Sequence, residues 1–325
     1  MQLLVTGGSG FIGSNFIRMM LAVHADIRIT NLDALTYAGN PDNLRDVATD
    51  GRYSFVRGDI CDAPLVASLL RRDGIDTVVH FAAESHVDRS LTDPGSFIRT
   101  NVVGTHTLLE AALNHEVQRF FHVSTDEVYG SIADGSFAEK DPLNPSSPYS
   151  SSKAASDLIA RSYFITYGLP VVISRCTNNY GPYQYPEKLI PLFTTNLLEN
   201  QKVPVYGTGK NIRDWIYVLD HCRAIDFLLS RATNGEIYNI GSGIERTNLE
   251  ITRTILDLLG KDDSSIQYVT DRPGHDLRYS LDASRLHGMG WKPAYNFGQG
   301  IAETVAWYRK NRWWWFPLKH PGVVQ

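Results

Sequence analysis

With 325 residues, 43% hydrophobic and 20% charged, the chain is too long for one small core and predicts a large α/β unit with a second lobe. Its net charge of −4 gives a nucleic-acid surface no electrostatic support. The three cysteines, Cys61, Cys176 and Cys222, form no CxxC pair and no metal-ligand spacing, which predicts a reduced, cytoplasmic protein with no metal site.

Residues 1–6 read as a buried parallel strand without the basic flank of a signal peptide, and no membrane span follows. The strand runs into GGSGFIG at 7–13 and a helical pattern at 14–21. In this G-x-x-G-x-x-G, Gly7 permits the tight turn, Gly10 lets a pyrophosphate approach the backbone, and Gly13 lets helix and strand pack closely. A second strand, 27–31, ends beside Asp33, where an acid binds adenosine ribose hydroxyls and repels a 2′-phosphate, so NAD is expected over NADP. A glycine turn with a surface Asp is the bland alternative.

The alternation continues through a strand at 53–57, a helix at 64–72, a strand at 77–81, a helix at 101–113 and a strand at 118–124. Asp59 suits either the adenine edge or a turn. The small residues Ala82 and Ala83 would let a cofactor lie against the backbone. The expected fold is α/β, a doubly wound parallel sheet of Rossmann type, with ligands outside the carboxyl ends of its strands.

The last of these strands delivers STDEVYG at 124–130, and YSSSK follows at 149–153. A tyrosine and a lysine four apart on a helix share a face, so the Lys153 ammonium is expected to lower the pKa of the Tyr149 phenol and make it a general base. Asp126 and Glu127 leave the sheet together, and a cleft can split two such carboxylates into a proton donor and a proton acceptor. A chance YxxxK and a solvated Asp-Glu turn remain open readings at this point.

After a helix at 150–167 and a strand at 170–175 the regular pattern breaks. Residues 176–214 are rich in Asn, Pro, Tyr and Gly and predict loops and short helices. Residues 217–220, a helix at 221–229 and a strand at 236–240 read as a return to the main sheet, and two further helices are expected at 248–259 and 297–311. This divides the chain into an NAD-binding unit, 1–175 with 216–241, and a smaller, discontinuous α+β substrate-binding lobe, 176–215 with 242–325. The tail WWWFPLK at 313–319 reads as a packing cap, with an exposed partner patch as the lesser alternative.

Taken together, the glycine loop, YxxxK and alternating sheet resemble the extended short-chain dehydrogenase/reductase family. LTYAGN at 35–40, HFAAESHVDRS at 80–90, NNYGPYQYPEKL at 178–189, IRDW at 212–215 and DRPGHDLRYSLD at 271–282, with STDEVYG, are similar to its branch of 4,6-dehydratases that act on dTDP-glucose. The likeness covers all but the last dozen or so residues. It departs from pattern only in the three serines between Tyr149 and Lys153 and in the Trp-rich tail.

The resemblance implies that Tyr149, with Lys153 and Thr125, takes the proton of the sugar's 4-hydroxyl, that Glu127 removes the proton on carbon 5, and that Asp126 protonates the departing 6-hydroxyl. It implies NAD contacts at Gly7, Gly10, Phe11, Ile12, Gly13, Asp33, Ala34, Leu35, Thr36, Asp59, Ile60, Phe81, Ala82, Ala83, Glu84, Thr100, Tyr149, Lys153 and Asn179. Nucleotide-sugar contacts are implied at Ser85, Thr125, Asn178, Lys188, Leu189, Pro204, Val205, Tyr206, Arg213, Asn248, Asp271, Arg272, Pro273, Gly274 and His275. Arg213 and Arg272 suit a pyrophosphate, and Tyr206 suits stacking on the base. His86 and Asp88 read as loop-organising residues. The resemblance also implies deoxysugar synthesis and a homodimer formed through the helices at 101–113 and 150–167.

Two other readings compete. A nucleotide-sugar 4-epimerase, which has no use for an acid-base pair at carbons 5 and 6, or a UDP-sugar dehydratase would share the fold. A non-catalytic NAD-responsive regulator should have lost Tyr149, Lys153 or the carboxylates, all of which are present.

Overall fold

The computed structural model describes residues 1–271 and 275–322. Strands alternate with helices through the first half: β1 Gln2–Thr6, β2 Arg28–Asp33, β3 Tyr53–Arg57, β4 Thr77–His80, β5 Arg119–Thr125 and β6 Val171–Cys176. Then come β7 Asn178–Tyr180, β8 Val203–Tyr206, β9 Ile212–Tyr217, β10 Ile237–Ile240, β11 Glu245–Thr247 and β12 Ile266–Val269.

One seven-stranded sheet runs β10-β6-β5-β4-β1-β2-β3, with every neighbouring pair parallel. The strand order reverses between β1 and β4, and the register there sets Thr6 beside both Leu32 and His80. This is the expected doubly wound fold. Alternate residues feed two cores, which is why the strands read as continuous apolar runs. Leu3, Val5 and Phe121 pack on the helices Phe11–Val23 and Val218–Arg231. Leu4, Val78 and Phe120 pack on Ala63–Arg72, Thr105–Asn114 and Pro148–Tyr167.

The structure departs from expectation in three ways. Residues 217–220 are not a strand of the main sheet: β9 ends at Tyr217 inside a separate sheet, β11-β9-β7, and a helix starts at Val218. The stretch 176–214, expected to be loops and short helices, holds the helix Leu189–Leu198 but also β7, β8 and the start of β9, and β8 pairs with the distant β12. Such pairings join segments far apart in the chain, so short-range periodicity does not announce them. The helix expected from residue 101 is preceded by a π-helical turn, Ile98–Gly104, in which Gly104 lies against Ile60; a Cβ there would sit 2.5 Å from the Ile60 Cδ1.

The tail forms the helix Arg312–Lys319, with Trp314 and Trp315 buried and Trp313 exposed. Among the described residues, no helix is long and apolar enough to cross a membrane and no cluster of His, Cys, Asp or Glu could hold a metal ion.

Candidate active site

A cavity of about 360 Å³ opens at the carboxyl ends of the main-sheet strands, the position that a doubly wound sheet reserves for ligands. Its wall includes Gly7, Gly10, Phe11, Ile12 and Gly13 after β1, Asp33, Ala34 and Thr36 after β2, and Asp59 and Ile60 after β3. Phe81, Ala82, Ala83, Glu84 and Ser85 follow β4, and Thr100, Thr125, Asp126, Glu127, Tyr149, Lys153, Asn178, Asn179 and Lys188 complete the residues predicted from sequence. Leu35 is not on the wall; its backbone N–H instead donates to Asp33 Oδ1 at 2.8 Å.

The glycine loop has the build of a dinucleotide cradle. Gly7 stands at φ +71°, and a Cβ on it would lie 2.6 Å from the Ala82 nitrogen; one on Gly13 would lie 2.4 Å from the Gly7 carbonyl oxygen. Gly10 caps the Phe11–Val23 helix without any side-chain hydrogen bond, an arrangement that leaves the first-turn N–H groups without a capping side chain, as binding of a pyrophosphate there requires. Asp33 holds this cradle, its Oδ2 accepting from the Ser9 N–H at 2.9 Å, and burial raises its pKa against those two backbone donors. The residues present therefore fit NAD. Asp59 lies on the wall, and its Oδ1 accepts from the Cys61 N–H at 2.8 Å as the turn reading expects.

The reacting groups sit on two elements. The turn Asp126–Tyr129 begins where β5 ends, and Thr125 caps it: the Thr125 Oγ1 accepts from the Glu127 N–H at 3.3 Å and donates to Asp126 Oδ1 at 3.2 Å. Helix Pro148–Tyr167 starts in a capping box formed by Ser147 and Ser150, which explains one of the three serines of YSSSK. Ser152 explains another, accepting from Asn101 Nδ2 at 2.8 Å.

Burial and the neighbouring Glu127 push the Asp126 carboxyl up to about 8, and its Oδ2 is buried without a hydrogen-bond partner. The shift is in the direction a proton donor needs. Burial brings Lys153 down to about 8, and its Nζ donates to the Val123 carbonyl at 2.8 Å. The Tyr149 phenol is raised well above its ordinary value by burial, then by Glu127 and Cys176; the hydrogen bond with Thr125 pulls the other way. The strongest influences on this phenol come from burial and its acidic neighbours, while the Lys153 ammonium is engaged by the Val123 carbonyl.

A second cavity, of about 210 Å³, adjoins the first, and Glu127, Asn178, Glu187 and Lys188 line both. The predicted sugar residues Leu189, Pro204, Val205, Tyr206, Arg213, Asn248 and His275 line it. Asp271 lies beside the wall, paired with His275 Nδ1 at 2.6 Å, while Arg272, Pro273 and Gly274 fall outside the described residues. Arg213 is buried over the Tyr279 ring at 4.2 Å, donating to the carbonyls of Ile212 and Asp276. Its charge opposes the rise in the Asp126 pKa.

The sequence reading missed several wall residues: Tyr37, Gln184, Tyr185, Glu187, Trp215 and Tyr279. Tyr37 sits within LTYAGN, and the next three within NNYGPYQYPEKL, so the motifs pointed to the segments but not to these side chains. Arg89 lies 3.7 Å above the Tyr37 ring and 3.6 Å from Glu187, tying three loops together over the cavity. Asn101 was missed as well; buried in the π-helical turn, it exchanges hydrogen bonds with the backbone of Glu84 and so fixes the wall after β4.

Comparison with known proteins agrees with this geometry. The profile of the family described as GDP-mannose 4,6 dehydratase matches residues 4–304. The chain is 55% identical to a dTDP-glucose 4,6-dehydratase of an Actinoplanes species, over 97% of this chain and 100% of that one. It superposes with a TM-score of 0.95, at 57% identity, on DesIV, a dTDP-glucose 4,6-dehydratase from Streptomyces venezuelae solved with NAD bound, covering 98% of this chain and 100% of that one. A Thermus thermophilus UDP-glucose 4-epimerase complexed with NAD is more distant, with 32% identity and a TM-score of 0.88 over 96% of this chain and 100% of that one. A profile match across nearly the whole length, backed by identities above half, places the chain in the GDP-mannose 4,6 dehydratase family.

Proposed function

We propose that the protein is an NAD-dependent hydro-lyase, a dTDP-glucose 4,6-dehydratase giving dTDP-4-keto-6-deoxyglucose for deoxysugar synthesis. The observation that carries the chemistry is the Asp126–Glu127 pair, where one acid is buried and held protonated to about 8 while both face the cavity shared with Tyr149. A 4-epimerase needs no such pair.

Bound NAD supplies a hydride acceptor for carbon 4 and a hydride donor for carbon 6. Tyr149 would take the proton of the 4-hydroxyl as its phenolate, which burial disfavours and the Thr125 hydroxyl favours, with the Lys153 ammonium one helical turn away as the nearby positive charge. Once carbon 4 is a ketone, the proton on carbon 5 is acidic, and Glu127 removes it. Asp126 gives its proton to the 6-hydroxyl, which departs as water, and when carbon 6 takes hydride back, carbon 5 regains a proton from Glu127 after that proton has exchanged with solvent. The partnerless Oδ2 of Asp126 is the oxygen that would meet the 6-hydroxyl. Arg213 and Lys188, on the second cavity, suit the nucleotide's phosphates.

The same reading assigns residues 1–175 with 216–241 to the NAD-binding unit and 176–215 with 242–325 to the nucleotide-sugar lobe. It also makes the protein a cytoplasmic homodimer. Leu158, Ile165 and Tyr167 on helix Pro148–Tyr167 and Val103 before helix Thr105–Asn114 are exposed apolar residues suited to a partner.

The test is incubation with dTDP-glucose in heavy water, without added cofactor and with UDP-glucose in parallel. Loss of one water with a single deuterium at carbon 5 is expected from dTDP-glucose. An unchanged formula with carbon 4 inverted would make the enzyme an epimerase, and turnover of UDP-glucose alone would reassign the base.

A further inference from the structure

The Trp-rich tail lies beyond the segment that matches the family, and the chemistry above makes no use of it. It nevertheless reaches the cofactor cavity from behind at two points. The Trp314 indole N–H donates to Asn43 Oδ1 at 2.7 Å, and Asn43 Nδ2 donates in turn to the Ser9 carbonyl at 2.8 Å. Ser9 is the residue of the glycine loop whose N–H is bound by Asp33. All three side chains are buried, so this relay has no water to replace a lost member.

The second point is Tyr183, which stands at φ +68° inside NNYGPYQYPEKL, next to the wall residues Gln184 and Tyr185. Its ring is held between Trp307 at 4.5 Å, Trp314 at 5.6 Å and the Arg18 guanidinium at 4.0 Å. The Tyr308 hydroxyl donates to the Gln184 carbonyl at 2.5 Å. The glycine loop and the opposite wall of the same cavity are thus fixed to one aromatic block at the end of the chain.

We propose that Trp314 is a positioning residue for the cofactor: through Asn43 and Tyr183 the tail holds two walls of the dinucleotide cavity at their spacing and so slows loss of NAD. This rests on the reading that the cavity holds NAD. An enzyme that returns its hydride within each cycle gains from a cofactor that never leaves, and a clamp behind the walls serves that without occupying the cavity.

The experiment compares the full-length protein with W314F, which keeps a ring but loses the donor, and N43D, which keeps the acceptor for Trp314 but loses the donor to Ser9. K319A serves as control, since Lys319 ties the tail to Glu199 at 2.7 Å, away from the cavity. NAD content after purification, the Kd for added NAD, the melting temperature and kcat at saturating NAD are measured on each. W314F and N43D should raise the NAD Kd roughly tenfold and lower the co-purified NAD, with kcat at saturation nearly unchanged. K319A should leave the Kd as it was.

A fall in melting temperature with no change in NAD Kd for both W314F and N43D would reduce the tail to a stability element and overturn the proposal. Equal weakening by K319A would overturn the role of the Trp314 contact. Absence of NAD binding by the unaltered protein would instead sink the reading of the cavity beneath it.

Discussion

The two cavities that meet at Glu127 are built in opposite ways. The first is walled by the exits of strands whose register is locked by their neighbours in one sheet, and its wall sets glycines and alanines such as Gly7, Gly13, Ala82 and Ala83 beside the reacting side chains. The second is walled by side chains from short, separate sheets: Tyr206 on β8, Arg213 on β9, then Asn248 and His275 from further along the chain. A backbone cradle is set by the fold itself and resists point substitution, which suits a cofactor retained through the cycle. A side-chain cradle can be altered one residue at a time, which suits a substrate that must enter, be recognised and leave.

The largest break in that comparison should come from the groups at the junction, because both ligands meet there. Tyr149→Phe is expected to lower kcat by about 100- to 10,000-fold and to abolish reduction of the bound cofactor, seen as absence of its reduced absorbance in a single turnover. Asp126→Asn should cost a similar factor in overall rate yet still permit oxidation at carbon 4. Reduced cofactor would then accumulate, whereas a D126N enzyme that never reduces NAD would place Asp126 before the elimination rather than in it.

Asp126 also links activity to pH with a definite sign. Its folded-state value of about 8 stands above the ordinary 3.8, so between those values the folded protein holds a proton that the unfolded chain has lost. Stability attributable to this group is present at low pH and falls as pH rises through that window, and the proton needed by the leaving 6-hydroxyl is lost above about 8. Lys153 loses its charge over the same range, so the alkaline limb of kcat belongs to the pair. The expected profile falls above about pH 8, and D126N should melt higher than the parent at pH 8 with the difference vanishing toward pH 4. A D126N protein no more stable than the parent at pH 8 would remove the claim that burial holds this acid protonated.

A smaller effect, confined to the second cavity, tests whether the two are separable. Arg213→Gln removes a charge aimed at the substrate's phosphates and should raise KM roughly tenfold or more while leaving co-purified NAD unchanged. Loss of NAD from R213Q, measured by nucleotide release on denaturation, would show that the cavities are coupled more tightly than their walls suggest.

What was legible in the sequence follows the same division. Gly7, Asp33, Ala82 and Asp126 could be placed because each lies at or within two residues of the end of a strand with an apolar run, and in a parallel sheet such exits converge whatever the rest of the chain does. Leu35 was misplaced by one step of the same logic: it is in the exit loop, but Asp33 turns its N–H inward. The strands β7, β8, β11 and β12 were not visible, since pairs such as Val203–Tyr206 with Ile266–Val269 bring together segments too short to carry a period. Trp215 reaches the wall through the pairing of β7 with β9, and Tyr279 through an isolated bridge of Arg278 to Ile212. For Tyr149 and Lys153 the spacing puts two side chains on one face, but it does not show that the Val123 carbonyl accepts from the ammonium.

The smallest effect concerns how the first cavity's chemistry is held. Tyr149 and Lys153 ride on the first turn and a half of helix Pro148–Tyr167, whose start is fixed by Ser147 accepting from the Ser150 N–H at 3.1 Å and by the Ser150 hydroxyl answering the Ser147 N–H at 3.0 Å. Ser147→Ala deletes one half of this box and should cost about 1 kcal/mol of stability. In a chain of this size that is a fall of about 2 °C in melting temperature. Because helix Pro148–Tyr167 is anchored along its length by Ala160 and Tyr163 in the core beneath the sheet, the first turn should fray rather than the helix melt. Fraying moves Tyr149 before it moves Lys153. A several-fold drop in kcat with an unchanged KM and NAD content would show that the cap serves the phenol's placement, while an unchanged kcat would show that the hydrogen bond to Thr125 alone suffices to hold it.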